Sequence, residues 1–289
     1  MPTSNLTLRR RQLAVQLRKM RQEAGMTIEE VAGRLPASPT KISRMENGQR
    51  GASPRDIRDL SEIYGVDDER VVSKLIALAS ESRYQGLRQE FGDLGHAAMY
   101  THMDIEAAAF GITELQISYL PGLLQVEEYA RSLIRGTLPG LAMEMLERRV
   151  QARKKRQARL WEEPPLPYCV IVDEAALRRE VGGSRIMRRQ LDHLLWVAAE
   201  GRVTLQVMPF CRGAYTGMDG PFMLYELPEP MPTPIVFVET MDAVEYLEKP
   251  TTVALYRTAI DRLKSTALPP AASIALIDEI KGSFAGSRL

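Results

Sequence analysis

Along the first eighty positions, apolar residues recur at steps of three and four. Leu13, Leu17 and Met20, with Ala14 and Ala24, form one stripe, which predicts a helix ending at Gly25. Thr27 with Glu30 three residues on is a capping-box pattern. It opens a second helix over 28–34 that offers Ile28, Val31, Ala32 and Leu35 to a core. Pro36 and Ala37 make the turn. Ser38-Pro39 sets an N-cap beside a proline at the first helical position, where the missing N–H costs nothing, and Asn47-Gly48 ends this third helix. Ser53-Pro54 repeats the device for a fourth, with Ile57, Leu60, Ile63 and Tyr64 inward and Gly65 as stop. A fifth runs from Asp67 to Ser82 and carries Val71, Val72, Leu75, Ile76 and Leu78. The pattern predicts an all-α N-terminal domain over 1–82.

Residues 83–108 read as a helical connector, its two helical patterns broken near Gly92 to Gly95. From 109 to 289 the period alternates between two and 3.6. A strand is expected over 112–119, then a turn at Pro121-Gly122, a helix over 125–134 and a long helix over 141–161. Pro164, Pro165 and Pro167 break the chain before a buried strand at 168–172. The run SRIMRRQLDHLLWVAAE is a helix with Met187, Leu191, Leu194, Leu195 and Ala198 inward. VTLQVMPF, PFMLYELP and PIVFVET are β-rich runs between Gly/Pro turns. VEYLEKPTTVALYRTAIDRLKSTAL and PPAASIALIDEIKGS close the chain as helices. The expected fold is therefore a helical head followed by a mixed α/β (α+β) C-terminal domain.

With 289 residues, 45% of them apolar, the chain can bury two cores. No apolar run approaches the ~18 residues of a membrane span, and the opening MPTSNLTLRRR lacks the apolar stretch of a signal peptide, so a cytoplasmic protein is expected. Cys169 and Cys211 stand far apart, which argues against a disulfide framework or a cysteine metal site. His96 and His102 are six apart, not the four-residue step of a helical metal pair, so no metal is expected. GxGxxG, P-loop and GxSxG motifs are all missing from the sequence, and no cofactor is expected. Asp173, Glu174 and Glu239 sit at strand ends, where carboxylates serve either catalysis or helix capping. Without a convergent partner the capping role is the better reading.

Charge changes the picture through its distribution. Residues 1–55 hold eleven Lys and Arg against four Glu, a surplus of +7 in a chain whose net charge is +1. A basic head on an acidic body points to a polyanionic partner. Within the head, the third helix is short and polar. At 100° per residue Ile42 and Met45 share one side, while Thr40, Lys41 and Arg44 share the other. A basic helix of that width fits the major groove of double-stranded DNA. There Arg makes a bidentate contact with guanine, and Thr approaches a polar edge or a thymine methyl. Glu46, at the C-terminal end of this helix, opposes the macrodipole and calls for a cationic partner. Arg21, one turn beyond Leu17, is the candidate.

Residues 13–66, through LRKMRQEAGMT, IEEVAGRL and SPTKISRMENG, resemble the lambda-repressor-like, or Xre-type, helix-turn-helix family. The resemblance implies that the third helix reads bases through Thr40, Lys41 and Arg44, and that Arg21 and Glu46 form a structural pair. It also implies phosphate contacts from Ser43, Asn47, Gln49 and Arg50. The family usually has Gln where this chain has Ile28, so a phosphate contact there falls to the Thr27 hydroxyl and the helix N-terminal amides. YLPGLLQVEEYARSLI, ARKKRQARL, VDEAALRREVGG, MRRQLDHLL, VTLQVMPF and GPFMLYELP resemble the domain of unknown function that follows the helix-turn-helix in WhiJ-like developmental regulators of high-GC Gram-positive bacteria. That resemblance implies a DNA-binding regulator, often encoded beside a small partner protein.

In the stretch 148–159, seven of twelve residues are basic and none is acidic. It admits three readings: a solvated helix face, an auxiliary phosphate-binding surface, or a site for an anionic ligand or acidic partner. The last is favoured and centres on Arg149, Arg153, Lys154 and Arg156. The whole sequence is thus read as a non-enzymatic, homodimeric, sequence-specific transcription regulator with a ligand- or partner-sensing body. The alternative is a toxin-antitoxin component or enzyme whose head serves autoregulation.

Overall fold

The computed structural model describes residues 8–35, 37–81, 97–228, 233–241 and 243–284. Pro36, Ser82 and His96, which carry sequence expectations, lie outside the described residues. The chain divides into two compact units: among the described residues the first runs to Ala108 and also takes in Pro228, and the second comprises the rest.

The first unit holds α1 (Leu8–Glu23), α2 (Ile28–Arg34), α3 (Pro39–Glu46), α4 (Pro54–Ile63), α5 (Glu69–Glu81) and α6 (Ala97–Ala108). Each start is built as its local sequence dictates. The Thr27 hydroxyl accepts from the Glu30 N–H while the Glu30 carboxylate accepts from the Thr27 N–H, a complete capping box. Ser38 accepts from the Lys41 N–H, with Pro39 at the first helical position. Gly25, Gly48 and Gly65 take φ of 67°, 69° and 70° after α1, α3 and α4, turns that a side chain would strain. Leu13, Leu17, Met20, Val31, Ile42, Met45, Ile57, Leu60, Tyr64 and Leu75 close into one core. Ala24, expected in the α1 stripe, is exposed, because the helix stops at Glu23 and the turn at Gly25 carries the chain away. In α6, His102 is buried with its Nε2 3.7 Å from the Glu106 carboxylate.

The second unit is built on a six-stranded mixed sheet of order β3-β2-β1-β4-β5-β6. Its strands are β1 (Gly111–Gln116), β2 (Tyr168–Asp173), β3 (Thr204–Met208), β4 (Phe222–Glu226), β5 (Ile235–Glu239) and β6 (Val244–Leu247). β1, β2 and β3 are parallel, and β4, β5 and β6 continue the sheet antiparallel. Helices α7 (Glu127–Thr137) and α8 (Met143–Gln157) join β1 to β2. Helices α9 (Glu174–Arg178) and α10 (Ser184–Ala199) join β2 to β3, and α11 (Pro250–Thr266) and α12 (Pro270–Ser283) follow β6. Leu115, Ile171, Phe222, Leu224 and Val236 pack on one face of the sheet against Val253, Ile260 and Leu263 of α11. The alternation of a strand sends Glu114 and Gln116 to the opposite face. Glu114 is fully buried there and accepts from the Tyr168 hydroxyl and from Gln116 Nε2 at 2.9 Å.

Several expected boundaries move, three of them by more than two residues. The expected helix from Val244 begins instead at Pro250, and Val244–Leu247 is an edge strand paired with β5. Val244 and Tyr246 suit a pleated surface, and Pro250 is a helix starter, so the tight turn at Thr240 and Ala243 decides for a hairpin. β1 ends at Gln116 rather than Tyr119, since Pro121 and the 3-10 turn Gly122–Leu124 draw the chain off the sheet. The long basic helix ends at Gln157 and finishes in a 3-10 turn, Ala158–Trp161.

Candidate DNA-binding surface

On α3, Ile42 and Met45 are buried in the core, while Thr40, Arg44 and the C-capping Asn47 are exposed. The helix is too short to hold itself in water, so its orientation depends on anchors at both ends. At the N-terminal end these are the Ser38 cap and Pro39. At the C-terminal end, Arg21 Nε and Nη2 donate to the two oxygens of Glu46 at 2.7 and 2.9 Å, and Arg21 Nη1 donates to the Met26 carbonyl at 2.7 Å. The partner inferred from the macrodipole argument is therefore in place. One guanidinium ties α1, the turn after it and the end of α3 together. Glu46 holds the Arg21 pKa above its ordinary value, chiefly through the hydrogen bonds. Tyr64 packs beside the pair. Burial first, and then the Glu46 charge, push its hydroxyl pKa well up, and the hydroxyl makes no hydrogen bond.

The other candidate residues fall into distinct situations. Gln49 and Arg50 are exposed just past α3, where the Arg50 N–H donates to the Arg44 carbonyl at 3.0 Å and keeps the turn tight. Asn47 Nδ2 reaches the half-buried Ser43 hydroxyl at 3.3 Å. The Thr27 hydroxyl both accepts from the Glu30 N–H and donates to the Glu30 carboxylate at 3.0 Å, so that carboxylate already occupies the start of α2. Ile28 is partly buried against the core, which accounts for an apolar residue at that position. Lys41 does not project freely beside Thr40 and Arg44: its Nζ donates to Asp56 Oδ1 at 2.5 Å. The sequence reading missed this pair. It also missed that Ser53 and Asp56 form a second capping box, although Ser-x-x-Asp at the head of α4 is a signal for one.

In the second unit, the basic run of α8 proves less polar than its sequence suggests. Leu146, Val150 and Ala152 are buried, while Trp161, expected in the stripe, is exposed and stacks on Trp196 at 4.8 Å. Much of the polar surface holds neighbouring chain. Arg153 Nη1 donates to Gln125 Oε1 at 2.6 Å, Gln157 Nε2 donates to the Gly122 and Gln125 carbonyls, and Lys154 lies 2.5 Å from Glu127. Arg149 and Arg156 are half-buried on the same helix.

Two of the three strand-end carboxylates also have structural partners, while Glu239 is exposed at the end of β5. Asp173 caps α9 by accepting from the Ala175 N–H, and it accepts from the Tyr215 hydroxyl at 2.6 Å. Glu174, buried, accepts from Arg178 Nε and the Phe210 N–H. Among the described residues no group of His, Cys, Asp and Glu could hold a metal ion, and no helix is long and apolar enough to cross a membrane.

Two family models match the chain. Residues 12–72 match a helix-turn-helix domain, which implies DNA binding and a regulatory role. Neither the curated proteins nor the solved structures hold a match. Residues 99–279, more than half of the chain, match the domain of unknown function DUF5753, and the chain belongs to that family.

Proposed function

We propose that the protein is a sequence-specific transcription regulator of the Xre type, acting as a non-catalytic homodimer in the cytoplasm. Its body would sense a ligand or a small partner protein, as the likeness to WhiJ-like developmental regulators suggests. The observation that carries the reading is the α3 surface. Thr40 and Arg44 are exposed on a helix anchored by Ile42, Met45 and the Arg21–Glu46 pair. Preorganised in this way, α3 loses little freedom on entering a major groove, with Gln49, Arg50 and Asn47 at its edge for phosphates. An acidic partner or anionic ligand would engage Arg149, Arg153, Lys154 and Arg156 on α8 in competition with Gln125 and Glu127.

The test is selection of bound duplexes from a random library by the full-length protein, followed by the Arg44→Ala variant on the selected site. Arg44→Ala should lose about 1–3 kcal/mol of discrimination at one base pair, with little change on random DNA. Equal weakening on both would show that Arg44 touches only phosphate.

A further inference from the structure

Lys41 belongs by position to the face of α3 that carries Thr40 and Arg44, yet its ammonium is drawn to α4. Lys41 Nζ donates to Asp56 Oδ1 at 2.5 Å, with the two side chains 25% and 21% exposed. Asp56 is fixed from its other side. Its Oδ2 accepts from the Ser53 N–H at 2.9 Å and from the Ser53 hydroxyl at 2.8 Å. The carboxylate therefore cannot follow the lysine outward without opening the capping box of α4. An ammonium on a flexible four-carbon stem would otherwise sample solvent, where any DNA phosphate captures it regardless of sequence.

We propose that Asp56 is a specificity-determining residue of the DNA-binding surface. It holds Lys41 within the head and withholds that cation from the DNA backbone, so that Thr40 and Arg44 form the base-facing pair of α3. The inference rests on the DNA-binding role proposed above. Affinity for random DNA follows the number of phosphates neutralised, whereas sequence is read at base edges. A cation kept out of the phosphate count lowers binding to random DNA and leaves base reading intact, so the ratio between the two rises. The basic surplus of residues 1–55, which include α3, makes such restraint useful, since every further mobile cation adds sequence-blind affinity.

The experiment measures binding of the full-length protein to a random-sequence duplex of about 30 base pairs across about 50–200 mM salt. One phosphate contact contributes about 0.9 to the slope of log affinity against log salt. Asp56→Asn should steepen the slope by about that amount, about a 3.5-fold extra loss of affinity over the range. Lys41→Met, which leaves Asp56 and its cap in place, should leave the wild-type slope unchanged. The Lys41→Met/Asp56→Asn double variant should return to it. Equal slopes for wild type and Asp56→Asn overturn the proposal. So does a flatter slope for Lys41→Met, since Lys41 would then already lie on a phosphate. A double variant as steep as Asp56→Asn also overturns it, because the lost carboxylate alone would explain the effect. Absence of salt-dependent binding by the wild type to any duplex is a different failure and sinks the DNA-binding reading itself.

Discussion

Arg21 has a side chain only 12% exposed and Glu46 only 4%, so their pair is not a surface ion pair of negligible worth. It is bidentate, it carries a third hydrogen bond to the Met26 carbonyl, and it lies beside Tyr64 of the core. Burying such a pair contributes little over an apolar filler. Breaking it is costly, because the Glu46 carboxylate would be left buried without its partner. Arg21→Ala is therefore expected to cost about 3–5 kcal/mol, read as a fall in the unfolding midpoint of the N-terminal unit. Arg21→Lys should recover little, since an ammonium cannot span both carboxylate oxygens and the Met26 carbonyl in one plane. A midpoint unchanged in Arg21→Ala would show that the pair is dispensable. At the same scale, the Tyr64 hydroxyl beside the pair is buried without a hydrogen bond, as is the Ser61 hydroxyl.

At the scale of elements, what the sequence makes legible is what is encoded locally. The starts of α2, α3 and α4 follow from Thr27, Ser38-Pro39 and Ser53-Pro54, and the turns follow from glycines that take positive φ. The Arg21–Glu46 pair is also legible, because the charge at the end of α3 demands a partner. Contacts that depend on tertiary placement are not. Nothing local says that Lys41 meets Asp56, that Glu114 lies under the Tyr168 hydroxyl, or that Val244–Leu247 pairs with β5 rather than extending a helix. Gln190 shows the same limit. Fully buried in α10, it donates from Nε2 to the Leu124 carbonyl at 2.7 Å and accepts the Val126 N–H on Oε1 at 2.7 Å. One amide thus satisfies two backbone groups where the 3-10 turn enters α7, an entry with no side-chain cap of its own. Gln190→Ala leaves the buried Leu124 carbonyl and the part-buried Val126 N–H without this partner, at up to about 1–3 kcal/mol each before any relaxation. The C-terminal unit should unfold at lower denaturant than wild type. An unchanged midpoint would mean that water replaces the amide in full.

At the scale of the whole molecule, one copy of α3 is not enough to specify a site. Its exposed face offers Thr40 and Arg44, and two or three base contacts at about 1–3 kcal/mol each fall short of the discrimination a genome demands. Two heads on half-sites one helical turn apart, about 34 Å, supply the difference, which is the reason for proposing a homodimer. The head commits its apolar residues to its own core, from Leu13 through Leu75, so pairing is expected to fall to the body. Footprinting of the full-length chain and of residues 1–82 on the same selected operator tests this. The full chain should protect both half-sites together, and the head alone should protect them weakly and independently, with a concentration dependence that shows no cooperativity. Equal affinity and cooperativity for the two proteins would place the pairing in the head and remove that role from the DUF5753 domain.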